Sequence, residues 1–517
     1  MLNKRIKIVL LSILLAMVIL LFGIHMAAKP YLENALEKKI PNHINLAYSN
    51  VEVNLLTGSV VFTTPSIRVS KENQHGGELA IDLEAIHIND IGYWNLIFSQ
   101  KLDIAELVLV EPRISFEKSN QVIAKDVKNV QLLKTISTAS IRIENGSLGV
   151  SWMNGKRKIL LESLSVEITD AETNPNLINT KTPFTFSSIE YNFKNLTGDF
   201  NKYEELSIDE IQFFNHEFNI QGLSLNTLLS KAELSKRIGY ERDHVNLQIP
   251  HLQVETPQFY YKGDSLQVIM PKMNIEGLAL DIFRDKSLPD DTSYKPLYAK
   301  TLKDLPFKLT LDTITMSDGL IVYEEEVKNK IVAGQLRFED VNGQIKNVSN
   351  MYSQQEDLEI SLASNLMGKG KLELNWAFNV HSPEQRFLAS GSLLNFETSR
   401  LNDFLEPNLR IRTEGNIQNL YFTIDGDEHT AVGDVKMRYH DFKFRVLKRD
   451  KLRVNKLFTF IGNLFIDDGS KADENGYRYG KIDVQRHQNK SFFNYLWISL
   501  QDGMLDVLSG NGKKEIE

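Results

Sequence analysis

Carboxylates and histidines are the side chains of this sequence that could act as acids, bases or metal ligands. The eleven histidines are dispersed along the 517 residues, without pairs at metal-ligand spacing. One acidic run, 467–474, has the wrong spacing for a calcium-binding loop, so it predicts a solvated turn. The sequence contains no Gly-rich phosphate loop, no His-Glu-x-x-His and no Gly-x-Ser-x-Gly motif. It therefore predicts no catalytic residues, no metal ligands, no cofactor and a protein that is not an enzyme, although a site assembled from distant residues stays open.

Composition excludes several further classes of protein. Cysteine is absent, which excludes disulfides, thiolate metal sites, cysteine nucleophiles and a lipoprotein anchor. The net charge is −8 and the lysines and arginines are scattered, so nucleic acid is not an expected partner. The chain is 42% hydrophobic and 24% charged, as in folded proteins. Its length exceeds the ~250–300 residues at which one core stops growing, which predicts several domains or one elongated, repetitive body.

The N-terminus is typical of a membrane anchor. Basic residues at 4–7 precede an apolar run from Ile8 to Ala28. About 20 apolar residues cross a ~30 Å hydrocarbon layer, and the basic end stays in the cytoplasm. The alternative is a cleaved signal peptide, but its apolar region would be shorter, and Met26 is too large for the cleavage site. We predict a cytoplasmic tail at 1–7, a transmembrane helix at 8–28 and a juxtamembrane helix at 29–44.

Alternating apolar and polar residues dominate the body of the chain. Strict alternation is typical of half-buried strands, and the absence of regular βα alternation favours antiparallel pairing. We therefore predict a repetitive β-rich domain at 45–450 with few short helices, one of them at Leu223–Arg237. The alternating face either lines a lipid groove or fills an ordinary core, since both give the same pattern. The residues that would line a groove are Leu372, Leu374, Trp376, Phe378, Phe307, Leu309 and Leu311.

Weak internal similarity links two parts of this domain. Ile141–Val150 resembles Ile314–Val322, with Asn145-Gly146 in the place of Asp318-Gly319. Repeated β units predict an extended sheet that grows by stacking.

The C-terminal part predicts a helix and loop followed by a short strand at 451–490, an amphipathic helix at 491–509 and a flexible tail at 510–517. The 491–509 helix places Phe493, Leu496, Trp497 and Leu500 along one apolar side. A face this apolar must be buried in protein, in a lipid groove or in a membrane interface. Capping of the end of the sheet is the alternative to a lipid role.

The order of segments resembles the AsmA-like proteins of Gram-negative bacteria. The resemblance implies an elongated, curved, mostly antiparallel sheet, folded like an open taco around an apolar groove, and it supplies no catalytic motif. The segments that carry the resemblance are the N-terminal anchor, Tyr48–Gly58, Ser66–Val69, Ile86–Asp90, Ile104–Phe116, Leu401–Leu405, Gly415–Phe422, Ala431–Tyr439 and Phe442–Leu447.

These observations predict a single-pass protein of the bacterial inner membrane with most of its chain in the periplasm. By resemblance it would handle or conduct phospholipids between the inner and outer membranes and contribute to outer-membrane biogenesis. The expected partners are phospholipid, the inner membrane through the N-terminal helix, and the outer membrane or an envelope protein at the C-terminal end. The alternative is a non-enzymatic assembly or scaffold factor of the envelope that binds partner proteins.

Overall fold

The computed structural model divides the chain into two compact units. Unit 1 comprises Met1–Lys202 and Ser207–Asn215, and unit 2 comprises Tyr203–Leu206 and His216–Glu517. The structure describes residues 28–34, 44–69, 78–93, 95, 99, 101–118, 134–152, 158–327, 332–351, 356–447 and 471–509.

Unit 1 is built from β-strands that pair mainly with antiparallel neighbours. Its strands are β1 (Ile44–Ala47), β2 (Asn50–Asn54), β3 (Ser59–Thr63), β4 (Ser66–Val69), β5 (Glu78–Asp82), β6 (Ala85–Ile91), β7 (Lys101–Val110), β8 (Arg113–Lys118), β9 (Thr135–Trp152), β10 (Lys158–Thr173) and β11 (Ser188–Asp199). The next strand, β12 (Glu204–Phe214), has residues in both units. Two junctions are parallel, because β9 runs alongside β7 with its first half and β8 with its second.

Unit 2 repeats this organisation on a larger scale. Its strands are β13 (Glu217–Thr227), β14 (Asp243–Glu255), β15 (Gln258–Lys262), β16 (Ser265–Glu276), β17 (Ala279–Asp285), β18 (Lys308–Glu326), β19 (Gly334–Ser349), β20 (Leu358–Leu366), β21 (Gly370–Phe378), β22 (Phe387–Glu397), β23 (Ile411–Gly426), β24 (Thr430–Val446) and β25 (Arg478–Gln485). Its helices are α1 (Lys231–Arg237), α2 (Tyr298–Lys303), a 3-10 turn (Thr398–Leu401), α3 (Asn402–Leu409) and α4 (Phe492–Ser509). The prediction of a mainly β, mostly antiparallel chain with few short helices is confirmed.

The segments 141–150 and 314–322, which are similar in sequence, occupy equivalent places in the strand pairing. These segments lie in β9 and β18, and each of these strands runs parallel to two earlier strands and antiparallel to the next one. Asn145 and Asp318 both adopt the left-handed conformation, with φ of 52° and 55°. Asn and Asp tolerate this conformation better than other non-glycine residues. The glycine that follows is needed for space, because a Cβ at Gly146 would lie 2.9 Å from Leu164 Cγ.

The predicted helix Leu223–Arg237 is wrong in its first half. Leu223 belongs to β13, where the apolar residues alternate with period two, and helix α1 begins only after Ser230. The Ser230 hydroxyl accepts a hydrogen bond from the Glu233 amide, and the Glu233 carboxylate accepts one from the Ser230 amide. This capping box marks the true start of the helix.

The predicted membrane anchor falls outside the described residues. None of the helices in the described ranges is long and apolar enough to cross a membrane. The predicted cytoplasmic tail, residues 8–27 of the predicted span, residues 35–43 of the predicted juxtamembrane helix, residues 451–470 of the predicted helix and loop, and the 510–517 tail are not described. Residues 28–34 are helical, and Leu32 packs against the cluster of Val51, Val60 and Phe62 in the first strands of unit 1.

Candidate functional site

One face of unit 1 is built from apolar residues that pair across neighbouring strands. The strand register forms two adjacent rows, each crossing the seven strands β2, β3, β6, β7, β9, β10 and β11. Paired residues lie on the same face of a sheet. The first row is Val53, Val60, Ile88, Leu107, Ile141, Ile168 and Ile189, and the second is Val51, Phe62, Ile86, Leu109, Ile143, Val166 and Tyr191.

Two further rows continue this face along β1, β4, β5, β8, β9, β10 and β11. They are Leu46, Ile67, Ile81, Ile114, Leu148, Leu161 and Leu196, and Ile44, Val69, Leu79, Phe116, Val150, Ile159 and Gly198. The bulge at Asn145 reverses the alternation of β9, so that residues on both sides of it share one face. A Cβ at Gly146 would lie 2.9 Å from both Pro112 Cγ and Leu164 Cγ. Apolar groups therefore fill the seam, and we call the four rows and this seam the apolar face.

The opposite face of the same strands is charged. Arg142 lies between Ile141 and Ile143 in sequence, and its Nη2 atom is 2.8 Å from Glu106 Oε1. Glu167 and Glu190 pair with each other across β10 and β11 on this side. Strands β10 and β11 thus each present one apolar (dry) and one charged (wet) surface.

The apolar face is only half-covered. Most of its side chains are intermediate in burial, and Phe116 remains 36% exposed. Tyr191 stacks on Phe193 and Phe213, with ring centroids 4.7 Å and 5.3 Å apart, and burial raises the pKa of its hydroxyl. An open cavity of about 480 Å³ lies beside the Tyr191 and Phe213 rings, and its lining combines Ile143 and Val166 with the charged residues Arg142, Glu144, Glu167 and Glu190. Charged side chains line much of this cavity, so the apolar rows, and not the cavity, form the candidate site for an apolar ligand.

Unit 2 carries two comparable rows over eleven strands, from β13 and β14 through β16 and β18 to β25. The first is Phe218, Val254, Met273, Ile314, Ile345, Ile360, Trp376, Ala389, Ile424, Gly433 and Ile482. The second is Ile220, Leu252, Ile275, Met316, Gly343, Leu362, Leu374, Gly391, Phe422, Val435 and Gly480.

The groove residues predicted from β21 lie in or against a filled core of unit 2. Trp376 and Phe378 are buried members of one large cluster, and Leu372 and Leu374 pack against it. The Trp376 ring stacks on Phe492 of α4, with the centroids 4.1 Å apart. For β21 this placement favours the packed-core alternative.

The other predicted groove residues lie outside both rows of unit 2. Leu309 pairs with Val268 and Leu311 with Met270, on strand β16. Phe307 precedes β18 and is half-buried. The structure therefore does not bring the two predicted groups into one row.

Helix α4 covers the last strands of unit 2. Its buried side presents Phe492, Tyr495 and Val507, while the carboxylates of Asp502 and Asp506 accept hydrogen bonds from the backbone amides of Asp483 (3.0 Å) and Lys481 (2.8 Å). These amides belong to β25, whose described pairing is with β24. The helix therefore protects an edge that would otherwise recruit another strand.

The side of α4 predicted to be apolar is split between the core and solvent. Leu496 is buried and Leu500 packs at the margin of the core. Phe493 and Trp497 remain 61% and 37% exposed. The Trp497 ring contacts Phe404 of α3 in a T-shaped arrangement, at a centroid distance of 6.4 Å.

Gly480 allows α4 to lie directly on β25, and its replacement should separate the two. A Cβ at Gly480 would lie 2.2 Å from the Gly503 carbonyl oxygen and 2.7 Å from the Val507 nitrogen. We expect Gly480→Ala to lower the free energy of unfolding by about 1–3 kcal/mol through this overlap. Thermal unfolding of the full-length chain measures the loss. Gly239→Ala is the matched control, because nothing lies within 4 Å of its Cβ. Equal melting temperatures for the two variants would contradict the close contact.

Charged residues form a structural cluster in unit 2. Lys490, just before α4, pairs with the buried Glu241 and, at 2.8 Å, with Asp290. Burial lowers the pKa of Lys490, but the hydrogen bonds and charges of Asp290 and Glu241 outweigh it and raise this pKa above its ordinary value. In the ranges that the structure describes, no group of three or more His, Asp or Glu is arranged to hold a metal ion. The cluster ties distant segments of unit 2 together.

The half-exposed residues of unit 1 were not among the predicted groove residues. Their alternation at Ile141–Ile143 and Ile189–Phe193 is visible in the sequence, but the same alternation in β21 belongs to a filled core. What buries the β21 face is helix α4, and no local pattern in β21 reports that this helix covers it.

Comparison of the sequence with protein-family models finds no match. Comparison with curated proteins likewise finds none. The similarity to the AsmA-like proteins therefore stays a prediction based on the order and patterning of its segments.

Proposed function

We propose that the chain is anchored in the bacterial inner membrane by one N-terminal helix and handles or conducts phospholipids between the inner and outer membranes. It would thereby contribute to outer-membrane biogenesis. The proposal includes an elongated, curved sheet whose apolar faces line an open groove, as in the AsmA-like proteins that the sequence resembles. Its partners would be phospholipid, the inner membrane, and the outer membrane or an envelope protein at the C-terminal end.

The observation that carries the proposal is the half-exposed apolar face of unit 1. Its rows cross seven strands, which at ~4.8 Å per strand span about 29 Å. This width is comparable to the ~30 Å hydrocarbon thickness of a bilayer, so extended acyl chains fit on it. Each CH₂ group that leaves water on such a surface contributes about 0.8 kcal/mol. Acyl chains therefore bind without specific headgroup ligands.

The charged opposite face supports the same function. A carrier of acyl chains in water needs one dry side for the lipid and one wet side for solvent. Arg142, Glu167 and Glu190 provide the wet side of β9, β10 and β11, directly behind the dry rows.

Site-specific photocrosslinking tests the proposal. We expect benzoylphenylalanine in place of Tyr191 to form phospholipid adducts in living cells, because this position lies in a row of the half-exposed apolar face, paired with Val166. The matched control is benzoylphenylalanine in place of Glu190, the adjacent residue on the wet face. Mass spectrometry of the full-length protein identifies the adducts.

The outcomes separate the two functions predicted from the sequence. Phospholipid on position 191 and none on position 190 supports lipid handling. Protein adducts alone at position 191 would support the scaffold function instead. Equal lipid labelling at both positions would show general contact with membrane and contradict a dedicated face.

A further inference from the structure

The β15–β16 hairpin of unit 2 carries three consecutive exposed aromatic residues. Phe259, Tyr260 and Tyr261 expose 53%, 42% and 43% of their surface, and every residue of β15 is exposed. Among the described residues, β15 pairs with β16 alone. A Cβ at the turn residue Gly263 would meet nothing within 4 Å. The hairpin therefore projects into open space.

The two faces of this hairpin differ in chemistry. Phe259 pairs with Val268 and Tyr261 with Leu266, which makes one face apolar. Tyr260 pairs with Gln267, which in turn pairs with Lys308 of β18.

The second face is cationic as well as aromatic. Lys262 lies two residues beyond Tyr260 and therefore on the same face. Lys262 and Lys308 are exposed, and neither forms an ion pair within the part of the chain that the structure describes. Two unpaired ammonium groups thus flank Tyr260.

We infer that this hairpin binds the surface of a bilayer that contains anionic phospholipids. A protein docked on one face would leave the aromatic residue of the other face in water. The interfacial zone of a bilayer covers both faces of the hairpin, because Phe259 and Tyr261 enter the acyl boundary while the tyrosine hydroxyls stay at headgroup level. The charge is complementary too, since Lys262 and Lys308 would meet lipid phosphates.

A fluorescent label at the hairpin tests this inference. Because the chain has no cysteine, Tyr260→Cys gives a single site for the polarity-sensitive dye NBD. The full-length protein is reconstituted into vesicles of phosphatidylethanolamine and phosphatidylglycerol. Spin-labelled quencher lipid is placed either in these vesicles or in separate added vesicles, so the two arms distinguish the anchoring membrane from a second one. Lys369→Cys, at the turn between β20 and β21, carries the same dye as a control.

We expect the dye at position 260 to lose about half of its emission in one of the two arms, and the dye at position 369 to lose none. Lys262→Glu with Lys308→Glu should abolish this loss, as should Phe259→Ser with Tyr261→Ser. Equal quenching at both positions, no quenching in either arm, or quenching that survives both double variants would overturn the inference. Because the assay reads unit 2 alone, its failure leaves the crosslinking result at Tyr191 unaffected.

Discussion

Replacing Lys490 with methionine should lower the free energy of unfolding of unit 2 by about 3–5 kcal/mol. The Glu241 side chain is only 4% exposed and Lys490 is its ion-pair partner. Methionine fills much of the same volume but removes the charge, and a carboxylate left alone in a low-dielectric site is far more costly than a missing surface pair. Urea unfolding of the full-length chain measures the loss of free energy of unfolding. Hydrogen exchange in α4 and β24 then shows that the loss occurs in unit 2.

Two further variants show that burial causes this effect. Lys300 pairs with Asp304 at 2.7 Å, but both side chains are about half exposed. Lys300→Met should therefore change the free energy of unfolding far less than Lys490→Met. Combining Lys490→Met with Glu241→Gln should recover part of the stability, because no unpaired charge remains. A Lys490→Met variant as stable as Lys300→Met would mean that Glu241 is not desolvated.

Strand content could be predicted from the sequence because period-two alternation reports it directly. The repeat at 141–150 and 314–322 was predictable for a related reason, since a left-handed Asn or Asp followed by a crowded glycine leaves a recognisable dipeptide. The parallel pairing of β9 with β7 and β8, and of β18 with β16 and β17, was not predictable. Strands in a parallel pair carry the same alternation of apolar and polar residues as strands in an antiparallel pair. The helix predicted from Leu223 is wrong in its first half because leucines two residues apart, which are typical of a strand, were assigned to a helix. The Ser230–Glu233 capping box, which marks the true start of the helix, is visible in the sequence.

The location of the candidate site could not be read from the sequence. Trp376 and Tyr191 both lie on alternating apolar faces, yet Phe492 stacks on the buried Trp376 while Tyr191 remains half-buried. The β21 face is covered because α4 packs on it, and this packing depends on contacts such as Gly480 against Gly503, which are far from Trp376 in sequence. Alternation predicts which side of a strand is dry, but tertiary packing decides whether that side is core or surface.

An aspartate at Ile168 should abolish lipid capture by the apolar face, if the proposed function is correct. Ile168 lies in the middle of a seven-strand row, paired with Ile141 on one side and Ile189 on the other. A carboxylate among acyl chains costs about 2.5–3.5 kcal/mol at the centre of a hydrocarbon layer. Since each 1.4 kcal/mol is tenfold in affinity, phospholipid adducts at position 191 should fall by more than about tenfold.

Ser165→Asp is the control that separates the effect of changing the apolar face from the effect of adding a negative charge. Ser165 lies on the same strand, three residues away and therefore on the wet side, where it pairs with Asn192. The added charge is identical but stays in water, so lipid adducts at position 191 should be unchanged. Circular dichroism should show the same strand content for both variants, because Ile168 is only half-buried. If both aspartates reduce capture equally, the effect is a general one of negative charge; if neither does, acyl chains do not contact this face.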